Sequence, residues 1–187
     1  WAGDEQPDKP AIKVGALFSL SSWGAEGGTP ELNGARMALE EINAHGSVSG
    51  RKLEMVVEDN RSDLKATVSA FQKLADIDRV TAFIGPNWAE FVNVAAPLAK
   101  AKQVPLITSS GYDDQAFDGN QWIFTLWPPH SIATKPLSSY IAKAGFEGVS
   151  VMISENAYYE GLFAALKDQL EAQGVKILEV MRFNAGH

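Results

Sequence analysis

The sequence contains no cysteine, which excludes disulfides, thiolate metal sites, cysteine nucleophiles and a lipid-bearing cysteine. It has no apolar run near the roughly 20 residues that cross a bilayer. Its longest apolar stretches, such as residues 80–85, have the length of a strand. Positive charge is scarce: 16 Lys and Arg face 23 Asp and Glu, for a net charge of −7, and no basic cluster stands out. A phosphate-reading surface needs concentrated positive charge, so nucleic acid is excluded as a partner. Histidine is limited to His45, His130 and His187, each isolated in sequence. With no His-Glu-x-x-His and no His/Asp/Cys cluster, the sequence predicts no metal site. It also has no Gly-x-Ser-x-Gly elbow to present a serine nucleophile.

Two further features resemble catalytic motifs without matching them. Gly24-Ala25-Glu26-Gly27-Gly28 lacks the dinucleotide fingerprint and the Lys-Ser/Thr of a P-loop; it reads as a flexible loop over a ligand, and no cofactor is expected. Asp59 stands where a response-regulator sheet carries its phospho-acceptor, but Ser19-Leu20-Ser21-Ser22 offers no carboxylate after the first strand. Asp59 therefore reads as a turn former or a hydrogen-bond acceptor.

What is present is the balance of a soluble globular protein, 45% apolar and 21% charged over 187 residues. The start is polar and reads as a disordered lead-in over residues 1–10, as after removal of a signal peptide. Short β-branched runs at 12–18, 52–58, 81–84, 105–108 and 122–126 then alternate with helical patterns. Thr29 is the expected N-cap of the first helix, with Pro30 at its first position and Leu32, Ala35, Leu39 and Ile42 inward. Asp63 caps the second, and Asn87 with Glu90 forms a capping box for the third. After Pro128-Pro129 come a helix at 131–144, a strand at 149–154, a helix at 158–172 and a strand at 176–183. Such alternation predicts an α/β fold, a parallel sheet covered by helices on both faces. The proline pair divides a first unit, 11–127, from a second, 128–187. Two parallel strands are too few to bury a core, so the sequence predicts that the second unit is incomplete.

Ligands of open parallel sheets bind outside the carboxyl ends of the strands. Those ends carry Trp23, then Trp88 and Ala89, then Ser109, Ser110, Gly111 and Tyr112, and in the second unit Tyr158. Amides ahead of the third helix suit an anion, and the aromatic side chains suit a ring or an ammonium group.

Ile12-Lys13-Val14-Gly15, Leu32-Asn33-Gly34-Ala35-Arg36, Glu41-Ile42-Asn43-Ala44, Gly50-Arg51-Lys52-Leu53, Phe83-Ile84-Gly85-Pro86 and Val104-Pro105-Leu106-Ile107 together resemble the branched-chain amino-acid-binding protein family. The resemblance covers residues 11–187 and implies a type I periplasmic binding fold, two lobes joined by three crossing segments, the first matching residues 126–129. It implies a periplasmic receptor that hands a small ligand to the permease subunits of an ABC transporter without catalysis. By the same resemblance Trp88, Ala89, Ser110, Gly111 and Tyr112 line the first lobe, Tyr158 clamps from the second, and the loop of Trp23 lies over the ligand. Ala89 and Tyr112 replace a serine and a threonine of the amino-acid binders, which turns the expectation from an aliphatic amino acid toward an aromatic carboxylate or a bulkier amino acid. A sensor domain of the same fold is the alternative, and a doubly wound enzyme is the distant one.

Overall fold

The structure is a computed structural model that describes residues 10–110 and 119–184. Gly111 and Tyr112, and the expected lead-in up to residue 9, lie outside the described residues.

Strand β1 (Ile12–Phe18) leads through a 3₁₀ turn (Ser22–Gly24) into helix α1 (Ala25–Ala44). Then follow β2 (Leu53–Asp59), α2 (Leu64–Gln72) with a π-helical turn (Lys73–Ile77), β3 (Ala82–Ile84), α3 (Ala89–Lys102), β4 (Leu106–Thr108) and β5 (Ile123–Thr125). The last four elements are α4 (His130–Lys143), β6 (Gly148–Ser154), α5 (Ala157–Ala172) and β7 (Lys176–Phe183). The first five strands form one parallel sheet in the order β2-β1-β3-β4-β5, and β6 pairs with β7 in a separate parallel sheet.

Side-chain alternation along β1 divides the first unit into two layers. Leu17 faces Phe83, Leu106 and Ile123, with Phe71 and Leu74 after β2 and Val92, Ala95, Ala96 and Ala99 of α3 closing that side. Phe71 stacks on Phe83 with ring centroids 4.1 Å apart. Ala16 and Phe18 point to the other side and meet Leu32 of α1, with Met55, Val57 and Ile84 packed around them. Each fully buried Leu or Phe stabilises by about 1.5–3 kcal/mol, which makes the first side the stronger anchor of the sheet.

Three local expectations are corrected. The glycine-rich stretch is not a loop: α1 already begins at Ala25, and Pro30 lies inside it. A Cβ at Gly28 would sit 2.0 Å from the Ser19 carbonyl oxygen, so glycine lets the helix press onto the end of β1. That close packing outweighs a helical glycine's cost of about 1 kcal/mol. Asn87 does not cap α3; its Oδ1 accepts from the Ser19 amide at 3.1 Å, and Trp88 takes the cap position without a side-chain bond. Of the expected apolar face of α1, Leu32 is buried while Ile42 is exposed, because the helix presses hardest on the sheet at its N-terminal end. The Asp63 cap is present, its Oδ1 accepting from the Ala66 amide at 2.8 Å. Among the described residues no helix is long and apolar enough to cross a membrane.

Candidate functional site

The strand order reverses between β1 and β3: the chain moves from β1 outward to β2, then returns to β3 on the other side. Divergence of the two following connections opens a crevice at such a point, at the carboxyl ends of the strands. Here those ends are Ser19 after β1 and Gly85-Pro86-Asn87 after β3. The fully buried Ser19 and nearly buried Asn87 are stitched by the Ser19 N–H donating to Asn87 Oδ1. A Cβ at Gly27 would lie 3.2 Å from Asn87 Nδ2 and 3.4 Å from the Trp88 ring, so the first turn of α1 roofs the same spot.

Trp23 and Trp88 come together there, with ring centroids 5.1 Å apart and planes tilted by 59°. Trp23 also packs against Phe91 at 5.8 Å. The Trp88 indole N–H donates to the Gly24 carbonyl at 3.3 Å, so the ring is fixed in place, yet both tryptophans keep more than a third of their surface exposed. Ala89 is buried at 2% exposure, so its side chain is packing and what it leaves to a ligand is at most its backbone amide. That amide is among the first four of α3, which lack intrahelical acceptors.

Ser109 and Ser110 follow β4 and are tied to the β3 end. Thr108 Oγ1 donates to the Pro86 carbonyl at 2.8 Å and accepts from the Ser110 amide at 3.1 Å. The Ser110 amide is therefore committed within the loop rather than turned to a ligand. Ser109 has a neighbour that the sequence did not announce, Glu31 on α1. Burial pushes the Glu31 carboxyl above its usual range, and the Ser109 hydroxyl beside it pulls it back in part. The two groups are close without reaching ordinary hydrogen-bond geometry, and Glu31 Oε2 and Ser109 Oγ are shut off from solvent with no hydrogen-bond partner among the described residues.

Asp59 holds the loop that precedes α1. It accepts from the Leu20 amide at 2.8 Å, the Ser21 hydroxyl at 2.6 Å and the Arg61 amide at 2.7 Å. Partial burial alone would raise its carboxyl, but the Ser21 hydroxyl and the Leu20, Arg61 and Ser21 amides together hold it below the usual range. Its role is that of the structural acceptor expected from the sequence.

Tyr158 stands at the start of α5, where Trp127 Nε1 donates to its hydroxyl at 3.1 Å. Its ring meets His130 edge-on at 5.2 Å, and His130 is 2% exposed. The partners of Tyr158 are thus Trp127, His130 and Tyr159 rather than the Trp23–Trp88 pair. His130 did not stand among the expected site residues. Among the described residues no group of three His, Asp or Glu side chains could hold a metal ion. An open groove lined by Lys13, Arg51, Asp76, Asp78 and Arg79 lies at the opposite, amino-terminal edge of the strands, away from all of these residues.

The sequence profile of a family described as "Periplasmic binding protein" matches residues 11–187. The leucine-, isoleucine-, valine-, threonine- and alanine-binding protein of Pseudomonas aeruginosa is 26% identical over 177 residues, 94% of this chain and 47% of that protein. The substrate-binding protein of a branched-chain amino acid transporter from Streptococcus pneumoniae, solved with isoleucine, superposes with a TM-score of 0.79 at 28% identity, covering 95% of this chain and 51% of that one. A solute-binding protein of an ABC transporter from Rhodopseudomonas palustris, solved with 3,4-dihydroxybenzoic acid, shares the fold with a TM-score of 0.76 at 23% identity, covering 93% of this chain and 47% of that one. The chain spans about half the length of the curated relatives it matches.

Proposed function

This chain belongs to the periplasmic binding protein family, and from that premise we propose that it captures a small solute at the carboxyl ends of its first sheet and catalyses no reaction on it. It folds as the type I members do. In this reading residues 11–127 form one lobe, and 128–187 form the first crossing and the start of a second lobe that closes over the ligand. The protein works outside the cytoplasm and delivers its ligand to the permease subunits of an ABC transporter.

The observation that carries this reading is the convergence of three strand-end loops on the point where the sheet order reverses, joined by the Ser19–Asn87 and Thr108–Pro86 bonds. No group of three His, Asp or Glu side chains able to hold a metal accompanies them among the described residues. A site of packed aromatic surface and first-turn helix amides suits non-covalent capture.

The ligand we propose is a carboxylate bearing a ring. Its carboxylate sits on the first-turn amides of α3 at Trp88 and Ala89, where the helix dipole favours an anion. Its ring packs against Trp23, Trp88 or Tyr158, and offset aromatic contacts add about 0.5–1.5 kcal/mol beyond area burial. Ala89 and Tyr112 in place of small hydroxyl side chains reduce what the site offers to a compact aliphatic zwitterion. A thermal-shift screen of the complete natural protein that carries this sequence, against aliphatic amino acids and aromatic acids, tests the assignment. Stabilisation by ring-bearing carboxylates is expected, and stabilisation by leucine, isoleucine or valine with no response to any ring-bearing ligand would remove the ring.

A further inference from the structure

We propose that Glu31 selects the ligand by receiving its amine, so that the protein prefers a ring-bearing amino acid to the same acid without the amino group. The inference rests on the solute-binding reading and names which member of that ligand class the site takes.

Its first support is placement. One face of α1 lies against the strand ends, and the residues along it can be followed turn by turn. Gly24 approaches Ser19 and Ser62, Gly27 approaches Asn87 and Trp88, and Gly28 approaches the Ser19 carbonyl. Glu31 follows four residues after Gly27 and three after Gly28, which on a helix is the next position along the same face. It meets Ser109, the residue after β4. The glycines bring the helix axis close, and the first long side chain on that face reaches the strand-end loops.

The second support is the state of the group. Glu31 Oε2 is closed to solvent and has no hydrogen-bond partner among the described residues, and the same holds for Ser109 Oγ. The ion pairs of the described residues join Lys73, Lys102, Lys167 and Arg182 to Glu58, Asp78, Asp76, Glu171 and Glu160, and none involves Glu31. An unpaired, partly buried carboxylate is costly. A helix residue with a purely solvated role would leave both oxygens in water. A carboxylate beside Ser109 also repels a second carboxylate there, so the ligand's anion belongs at the α3 amides and its cationic end at Glu31 and Ser109. An ammonium has three donors, enough to meet both acceptors at once.

Isothermal titration of the complete natural protein with L-phenylalanine, 3-phenylpropanoate and L-leucine tests the assignment. Phenylalanine is expected to bind roughly ten- to a hundredfold more tightly than 3-phenylpropanoate, the range of one charge-assisted hydrogen bond. Glu31→Gln should weaken phenylalanine by a similar factor and leave 3-phenylpropanoate unchanged or tighter, since a repelling charge is gone. Equal affinity for the two ring compounds in the unmodified protein overturns the proposal, and that comparison stands even where the variant does not fold. Unchanged phenylalanine affinity in a folded Glu31→Gln protein overturns it too. Binding of leucine alone, with loss in Glu31→Gln, upholds Glu31 and removes the ring preference. Failure of all three probes to bind overturns this assignment together with the ligand class on which it rests, whereas tight binding of 3-phenylpropanoate, with phenylalanine affinity left unchanged by Glu31→Gln, overturns the role of Glu31 alone.

Discussion

Gly85 and Glu31 affect stability in opposite directions, Gly85 by permitting a close backbone approach and Glu31 by burying a carboxylate. Gly85 has φ +81°, and a Cβ there would lie 2.1 Å from the Leu17 carbonyl oxygen. Both the conformation and the backbone contact exclude a side chain, because β1 and the β3 end must approach closely for the crevice to form. Gly85→Ala is expected to lower unfolding free energy in urea by about 2–4 kcal/mol, combining left-handed strain with overpacking. Gly34→Ala is the contrast: Gly34 is helical with nothing within 4 Å of the added Cβ, and it should gain about 0.5–1 kcal/mol. A Gly85→Ala protein as stable as the unmodified one would remove the close-approach argument. Glu31 acts through its charge. Its carboxyl is raised by burial, so the ionised form is disfavoured in the folded state and costs stability at neutral pH. As pH falls through the raised value toward the ordinary one of about 4.3, the folded chain takes up a proton that the unfolded chain does not yet hold, and the cost disappears. Glu31→Gln should therefore melt higher than the unmodified protein at pH 7 and equally at pH 3. A variant less stable at pH 7 would mean that the carboxylate is a net stabilising group. A residue retained against stability fits one kept for binding.

At the scale of elements, the connection from β1 to α1 separates what the sequence made legible from what it did not. β1, β2, β6, β7, α4 and α5 fall within one or two residues of where periodicity and capping signals put them. Their signals are local: strand alternation, helical periodicity, the breaks at proline. The start of α1 is not local. Gly27 and Gly28 weaken a helix by propensity, and only the approach of Ser19, Asn87 and Trp88 from other strands turns that weakness into a fit. The same misplacement hid Glu31, since a helix expected to start at Pro30 gives no reason to aim it at Ser109. Asn87 was misread for a related reason: its side chain serves a strand end 68 residues away rather than its own helix. The site loops themselves were legible because parallel α/β topology puts every strand's carboxyl end at one edge; the contacts between them were not. Asp59 fixes this connection through four groups on two loops. Its carboxyl is held low, so the stability it contributes is present above the unfolded value of about 3.9 and is lost as pH falls through the lower folded value. Asp59→Asn should be less stable than the unmodified chain at neutral pH, with the gap closing as both are acidified. Because the group is largely exposed, raising the ionic strength should shrink the gap as well. Parallel acid limbs for the two proteins would show that Asp59 does not titrate against these bonds.

At the largest scale, the chain holds two sheets of unequal support. The five-stranded sheet has a cluster drawing on β1, β3, β4, β5, α2 and α3, including Leu17, Phe71, Phe83 and Val92 at 0% exposure. In the second unit the buried apolar side chains are Ile153, Leu170 and Val175 among the described residues, while Met152, Leu178, Met181 and Phe183 on its two strands remain exposed. Met152 and Met181 are direct partners across the ladder, and Phe183 faces Ser154 two residues on, so the three lie on one face of that sheet. Hydrophobic burial is the main favourable term in folding, and a two-stranded sheet with one bare apolar face gains little of it. The link between the units is correspondingly slight, the segment after Thr125 together with the Trp127–Tyr158 bond and the contact of α5 with α3. Opening of β6 and β7 is therefore expected to cost less free energy than opening of β1 and β3, with the two sheets opening as separate cooperative units. Native-state hydrogen exchange on this 187-residue chain is expected to show the amides of β6 and β7 exchanging through low-energy openings while those of β1 and β3 exchange only near global unfolding. Trp127→Phe, which keeps the ring and removes the donor to Tyr158, should speed exchange in the first turn of α5 without changing β1. Equal protection across both sheets would mean that the second unit draws its stability from the first, and the Trp127–Tyr158 contact would then be part of a single core rather than a joint between two.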